Sequence, residues 1–318
     1  MSEKNSNSCS FRTSIGGQAL IEGILMRGPK KQAIVCRTKD GLVEKVEELK
    51  LDKQKHPILG WPFVRGCAIF LDSMVKGMQA LTYSASLLPE EEQEEPDKLD
   101  RWIMDHFPAE KAQKLIIGTA MVLGIALALL LFIFLPTLIV GFIKPLTGSY
   151  LVRNLAEGFS KVVILLLYMS LCTRMKDIQR LFAYHGAEHK TIFCYEHGKE
   201  LTVENVRPES RFHPRCGTSF LLVVIVVSIL VNSVVRLDNS FARMGVHLLL
   251  LPVVVGISYE INRWCGRHDN IVSAFLSAPG KWLQRITTFE PDDGMIECAI
   301  RAMELVIPEE KGSDEWGK

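Results

Sequence analysis

The sequence predicts a mainly α-helical, polytopic membrane protein with about four transmembrane helices and a small N-terminal β-hairpin-containing cytoplasmic unit. Three observations lead there. Of the 318 residues, 48 % are hydrophobic. Long uncharged stretches recur between residues 115 and 259. A hairpin signal precedes them.

Residues 1–60 read as the small β-rich cytoplasmic unit. Runs at 33–37 and 42–49 flank Thr38-Lys39-Asp40-Gly41, and Asp-Gly is a tight-turn signal because both positions tolerate positive φ. Upstream, Gly16-Gly17-Gln18-Ala19-Leu20-Ile21-Glu22-Gly23 and Met26-Arg27-Gly28-Pro29 mix glycines with apolar residues around a lone carboxylate. Structurally that is a bulged strand with close backbone packing. Functionally, it makes Glu22 a candidate site residue.

Residues 61–114 read as amphipathic helices and an acidic linker. Val64, Cys67, Ala68, Leu71, Met74, Val75, Met78 and Leu81 recur at helical spacing, with Arg65, Asp72, Lys76 and Gln79 off the stripe. Such a helix packs on the bundle or lies at the membrane interface. The acidic run 90–95, ending at Pro96, reads as a solvated hinge before an approach helix at 97–114.

Residues 115–263 are the predicted transmembrane bundle. Residues 115–142 carry no charge, and at ~1.5 Å rise per residue they exceed a ~30 Å hydrocarbon core. Residues 217–235 are also uncharged, and 244–259 hold only His247 as an ionisable group. The segment 151–173 is strongly apolar only over 162–172. Before that, Arg153, Glu157 and Lys161 share one helix face as an ion-paired ladder, directed into a bundle or into headgroups. Four spans put both termini on one side.

Orientation follows from the basic residues. The loop 174–216 holds Arg174, Lys176, Arg180, Lys190, Lys199, Arg207, Arg211 and Arg215, whereas the turn at 236–243 has only its two end arginines. The positive-inside rule therefore places the long loop and both termini in the cytoplasm of a bacterial cell, with the spans in its inner (plasma) membrane. Residues 1–12 are polar, so no signal peptide is expected. The eight cysteines include no C-x-x-C pair, which fits a reduced, disulfide-free protein. The tail, 264–318, reads as cytoplasmic and helical, interrupted by Pro279-Gly280 and Pro291. A net charge of +1 with no basic stripe among aromatics argues against nucleic acid. The implied partner is the lipid bilayer.

The chemistry concentrates in His185-Gly186-Ala187-Glu188-His189. Two imidazoles one helical turn apart can grip one tetrahedral cation, and a non-ligating carboxylate between them can act as a base. The order H-x-x-E-H is the inverzincin arrangement. It points to a divalent metal ion, zinc foremost, held by His185 and His189, with Glu188 catalytic. Two histidines need a third ligand. Glu196 and His197 follow on the same helix but lie roughly 16 Å along its axis, too far to share the ion. His213-Pro214-Arg215-Cys216 offers His213 and Cys216 in a turn just before a span. Glu260 ends the last apolar span and so sits at the same membrane boundary, either as a ligand or in a plain salt bridge with Arg263.

Taken together, the Gly16-to-Pro29 run, Tyr184-His185-Gly186-Ala187-Glu188-His189-Lys190, His213-Pro214-Arg215-Cys216-Gly217-Thr218 and Glu290-Pro291-Asp292-Asp293 resemble the YqhQ family of bacterial membrane proteins. The resemblance runs over nearly the whole chain. It implies a suspected metal, since members are described as predicted metal-dependent enzymes of unknown function, and it brings no substrate. The reading that results is a metal-dependent membrane hydrolase, with a non-catalytic metal-binding scaffold, sensor or transporter component as the alternative.

Overall fold

The computed structural model describes residues 11–49, 61–89, 97–143, 145, 147–268, 270–310 and 312–316. The polar residues 1–10 and the acidic run 90–95 lie outside the described residues. In chain order the elements are strands β1 (Gly16–Leu20), β2 (Gly23–Arg27), β3 (Lys31–Thr38) and β4 (Gly41–Glu48), then helices α1 (Val64–Ser86) and α2 (Lys98–His106). There follow α3 (Ala109–Leu129), joined by a π-helical turn to α4 (Leu135–Ile143), then α5 (Tyr150–Cys172), α6 (Lys176–Glu196) and the single turn α7 (Val203–Val206). Finally come α8 (Gly217–Asn232), α9 (Ser240–Arg267), α10 (Ile271–Thr287) and α11 (Asp293–Glu304).

The chain divides into two compact units, each assembled from separated stretches. One comprises Met1–Leu87, Tyr168–Val227 and Pro252–Lys318; the other comprises Leu88–Leu167 and Ser228–Leu251.

In the first unit a four-stranded antiparallel meander, ordered β1-β2-β3-β4, is covered on both faces. The hairpin expected at Asp40-Gly41 is present, with Thr38 opposite Gly41. The glycine-rich run upstream is a second hairpin, β1–β2, turning at Ile21 and at Glu22, which has φ 49°. Alternation decides which side chain meets which layer. Ile24, Met26, Ala33 and Val35 join a core with Tyr184 and Ala187 of α6 and Ile296, Ala299 and Met303 of α11. Leu25, Ile34 and Cys36 point the other way, to Ala80 of α1.

Helix α1 is built inside out for a water-soluble helix. Its buried positions are Gly66, Gly77, Ala80 and Ser84, while Leu71, Met74 and Val75 stay 61, 46 and 52 % exposed. Its charges are paired: Arg65 with Glu260 of α9, and Asp72 with Arg27 of β2.

Among the described residues, three helices are long and apolar enough to cross a membrane: Lys111–Ile143, Tyr150–Cys172 and Ser240–Arg267. About four were expected. The difference is α8, which ends at Asn232 after 16 residues. Charge does not disqualify α5, because its ladder is internal to the second unit. Glu157 meets Lys161 at 3.1 Å, Arg243 at 2.7 Å and His247 at 3.1 Å, and Arg153 meets Asp238 at 3.1 Å. The tail also differs from expectation. Helix α10 continues through Pro279, and Gly280 lets it approach Ser219, whose Oγ would lie 2.3 Å from any added Cβ. The other expected interruption, at Pro291, is present as the non-helical stretch 288–292. The seven cysteines among the described residues are all free.

Candidate metal centre

Helix α6 carries His185, Glu188 and His189 on the side facing β1 and the turn before α8. His185, His189 and Cys216 are the one group of metal-capable side chains among the described residues, with donor atoms all within 4.8 Å of one another. His185 Nε2 lies 3.1 Å from Cys216 Sγ, and the two imidazole centroids are 4.4 Å apart.

Each imidazole is fixed from behind. His185 Nδ1 donates to the Thr287 carbonyl at 2.8 Å and His189 Nδ1 to the Arg211 carbonyl at 2.5 Å. A backbone carbonyl at Nδ1 sets the tautomer and leaves Nε2 free for a ligand, the usual arrangement behind metal-binding histidines. His189 Nε2 is buried without a hydrogen-bond partner. An orphaned imidazole nitrogen is costly in an interior, and a cation among these donors removes that cost. The residues therefore fit a divalent ion held by two imidazoles and a thiolate, with room for one more ligand.

The electrostatics favour the ligating forms in part. Burial favours the Cys216 thiol, but His185 and His189 outweigh it and hold the sulfur well below its ordinary pKa, and thiolate is the ligating state. Burial also opposes charge on His185, yet the Cys216 sulfur and Glu188 push the ring up to about 9. A cation bound at Nε2 would therefore displace a proton from His185. Burial raises the Glu188 pKa above the ordinary carboxylate value, with the two histidines partly offsetting it. Glu188 accepts the Gly17 amide proton at 2.9 Å.

The remaining candidates go elsewhere. His213 does not join Cys216 at the centre. Its Nε2 faces Glu196 Oε2 at 3.5 Å, and its backbone is clamped by Gln284, which accepts from His213 N at 2.8 Å and donates to His213 O at 2.7 Å. Burial brings the His213 pKa down to about 4. Glu196 also accepts from Arg215 and from Thr13 N, so this carboxylate organises the turn that carries Cys216. Glu260 is likewise apart from the centre, held by Arg65 rather than by Arg263. Glu22 ties the β1–β2 turn to α6, accepting from Arg180 at 2.5 and 2.6 Å and from the Tyr184 hydroxyl at 3.2 Å.

Gly186, inside the motif, lets the 287–291 segment lie on α6. A Cβ there would stand 2.1 Å from the Phe289 carbonyl oxygen. Gly186→Ala should cost about 1–3 kcal/mol through overpacking and loosen the Thr287 carbonyl behind His185. Thermal unfolding and metal content measured together test this; an unshifted midpoint refutes it.

A cavity of about 840 Å³ adjoins the centre, lined by His185, Glu188, His189 and Cys216 together with β1. Sequence reading missed Gln284, Thr287 and Arg211, which act through backbone atoms or from the tail. It also missed Gly17, whose only signal was the doubled glycine.

Comparison with known proteins gives a consistent picture. A family described as "Protein of unknown function (DUF1385)" matches residues 61–309. The uncharacterized protein YqhQ of Bacillus subtilis (strain 168) is 33 % identical over 316 residues, covering 94 % of each chain. No solved structure matches.

Proposed function

This chain belongs to the uncharacterised YqhQ (DUF1385) family, and from that premise we propose that it is a metal-dependent hydrolase of the bacterial inner membrane. The observation that carries the reading is the convergence of His185, His189 and Cys216 around a buried nitrogen with no partner. A divalent ion, zinc by the donor set, supplies Lewis acidity there when bound. Thr287 and Arg211 orient the imidazoles. Glu188, its pKa raised by burial and one oxygen already engaged by Gly17, accepts a proton from water at its other oxygen and returns it to the leaving group.

Four spans, with α8 as the shortest, keep the 174–216 segment and both termini cytoplasmic. The outward apolar face of α1 suits contact with lipid. Two measurements test this reading. Protein purified without chelators should carry close to one divalent transition metal per chain, and metal-free protein would remove the centre. A reporter fused after Lys199 should read cytoplasm and one at Asn239 the outer side; the inverse pattern would move the site outside the cell.

A further inference from the structure

Resting on the hydrolytic reading above, we propose that the substrate is a polypeptide, bound as an extended strand added to the free edge of β1. The two edges of the sheet are guarded differently. β4 carries Glu44, Lys45, Glu47 and Glu48, charges of the kind that deter pairing with another chain. β1 reads Gly-Gly-Gln-Ala-Leu, has no charge, and pairs only with β2.

The edge presents strand-type hydrogen-bonding groups. Because Gly17 gives its amide proton to Glu188, Gly17 faces away from β2, and by the alternation of an antiparallel ladder so does Ala19. The Ala19 N–H and the Gly17 and Ala19 carbonyls have no partner among the described residues. A strand laid along them completes a fourth ladder in the sheet. A lipid there would leave these polar groups unpaired beneath it.

The edge also leads to the chemistry. Gly16 to Ala19 line the same cavity as His185, Glu188, His189 and Cys216. Its volume of about 840 Å³ is within the usual range for ligand sites. Glu188 closes the edge at Gly17, so a peptide running along Ala19 brings its backbone to that carboxylate. Glycine is required at 17, since a Cβ would meet the Leu25 carbonyl at 2.6 Å and the Glu188 carboxyl carbon at 3.1 Å. The reaction is then amide hydrolysis. Water oxygen bonds to the carbonyl carbon, the C–N bond breaks, and the proton taken by Glu188 passes to the released amine.

The test reads binding, not turnover. Full-length protein in detergent, stripped of metal by chelator, is titrated against fluorescein-labelled β-casein by anisotropy, and metal content is measured on the unstripped protein. Ala19→Pro removes the outward amide without taking a bond from the β1–β2 ladder, as edge positions allow. It should weaken casein binding roughly tenfold or more, with metal content unchanged and Ala19→Ser binding like wild type. With wild-type protein, an extended Thr-Val dodecapeptide should displace casein, and the same peptide N-methylated at alternate residues should not. Equal binding by wild type and Ala19→Pro, or equal displacement by the two peptides, overturns strand addition. Edge-dependent casein binding by a protein that purifies without metal would support strand addition while removing the metal reading. Protein that purifies with metal but, once stripped, does not bind casein would overturn strand addition alone.

Discussion

His189→Ala should purify with less than roughly a tenth of the wild-type metal, and His185→Ala and Cys216→Ser should behave alike. Each substitution removes one of the three protein donors gathered at the centre among the described residues. Even partners behind such ligands are worth about 10–100-fold in affinity, so a lost ligand costs at least as much. Glu260→Gln is the control. Its carboxylate is engaged by Arg65, apart from the centre, and it should keep wild-type metal. Metal per chain by mass spectrometry, on fractions that elute as wild type by size exclusion, decides the matter. Stoichiometric metal in all three ligand variants would show that the ion sits elsewhere.

Much of this centre was legible because periodicity is local. The i, i+4 spacing of His185 and His189 needs only a helix, and α6 supplies one without interruption. Cys216 was legible as a soft donor beside an apolar segment, but not its separation from His213. That depends on Glu196 and Gln284, which come from two other helices. Glu260 illustrates the opposite case. Its place at the end of a long apolar segment called for a partner, and Arg65 lies 195 residues away in sequence. The carbonyls of Thr287 and Arg211 could not be singled out, because every residue has one. The fold followed the same pattern. The Asp40-Gly41 turn announced β3–β4, whereas β1–β2 hid in a glycine-rich run whose turn is made by Ile21 and Glu22. Proline misled at 279, where close helix packing at Gly280 outweighed the usual helix-breaking tendency.

Glu188→Gln should separate an enzyme from a metal-binding scaffold. The amide is nearly isosteric, and its carbonyl oxygen can still accept the Gly17 N–H that the carboxylate accepts at 2.9 Å. The substitution therefore keeps β1 docked on α6 and the three metal donors in place, so metal content and casein binding should match wild type. What it removes is the basic oxygen that takes a proton from water. General-base catalysis is commonly worth about 10²–10⁴-fold, so a deletion strain carrying this variant should resemble the deletion itself. A scaffold, sensor or transporter component that needs only the ion would tolerate the change. Full complementation by Glu188→Gln, with metal intact, would sink the hydrolase and leave the scaffold in its place. Loss of complementation together with loss of metal would instead mean that Glu188 helps to hold the ion or the strand beside it.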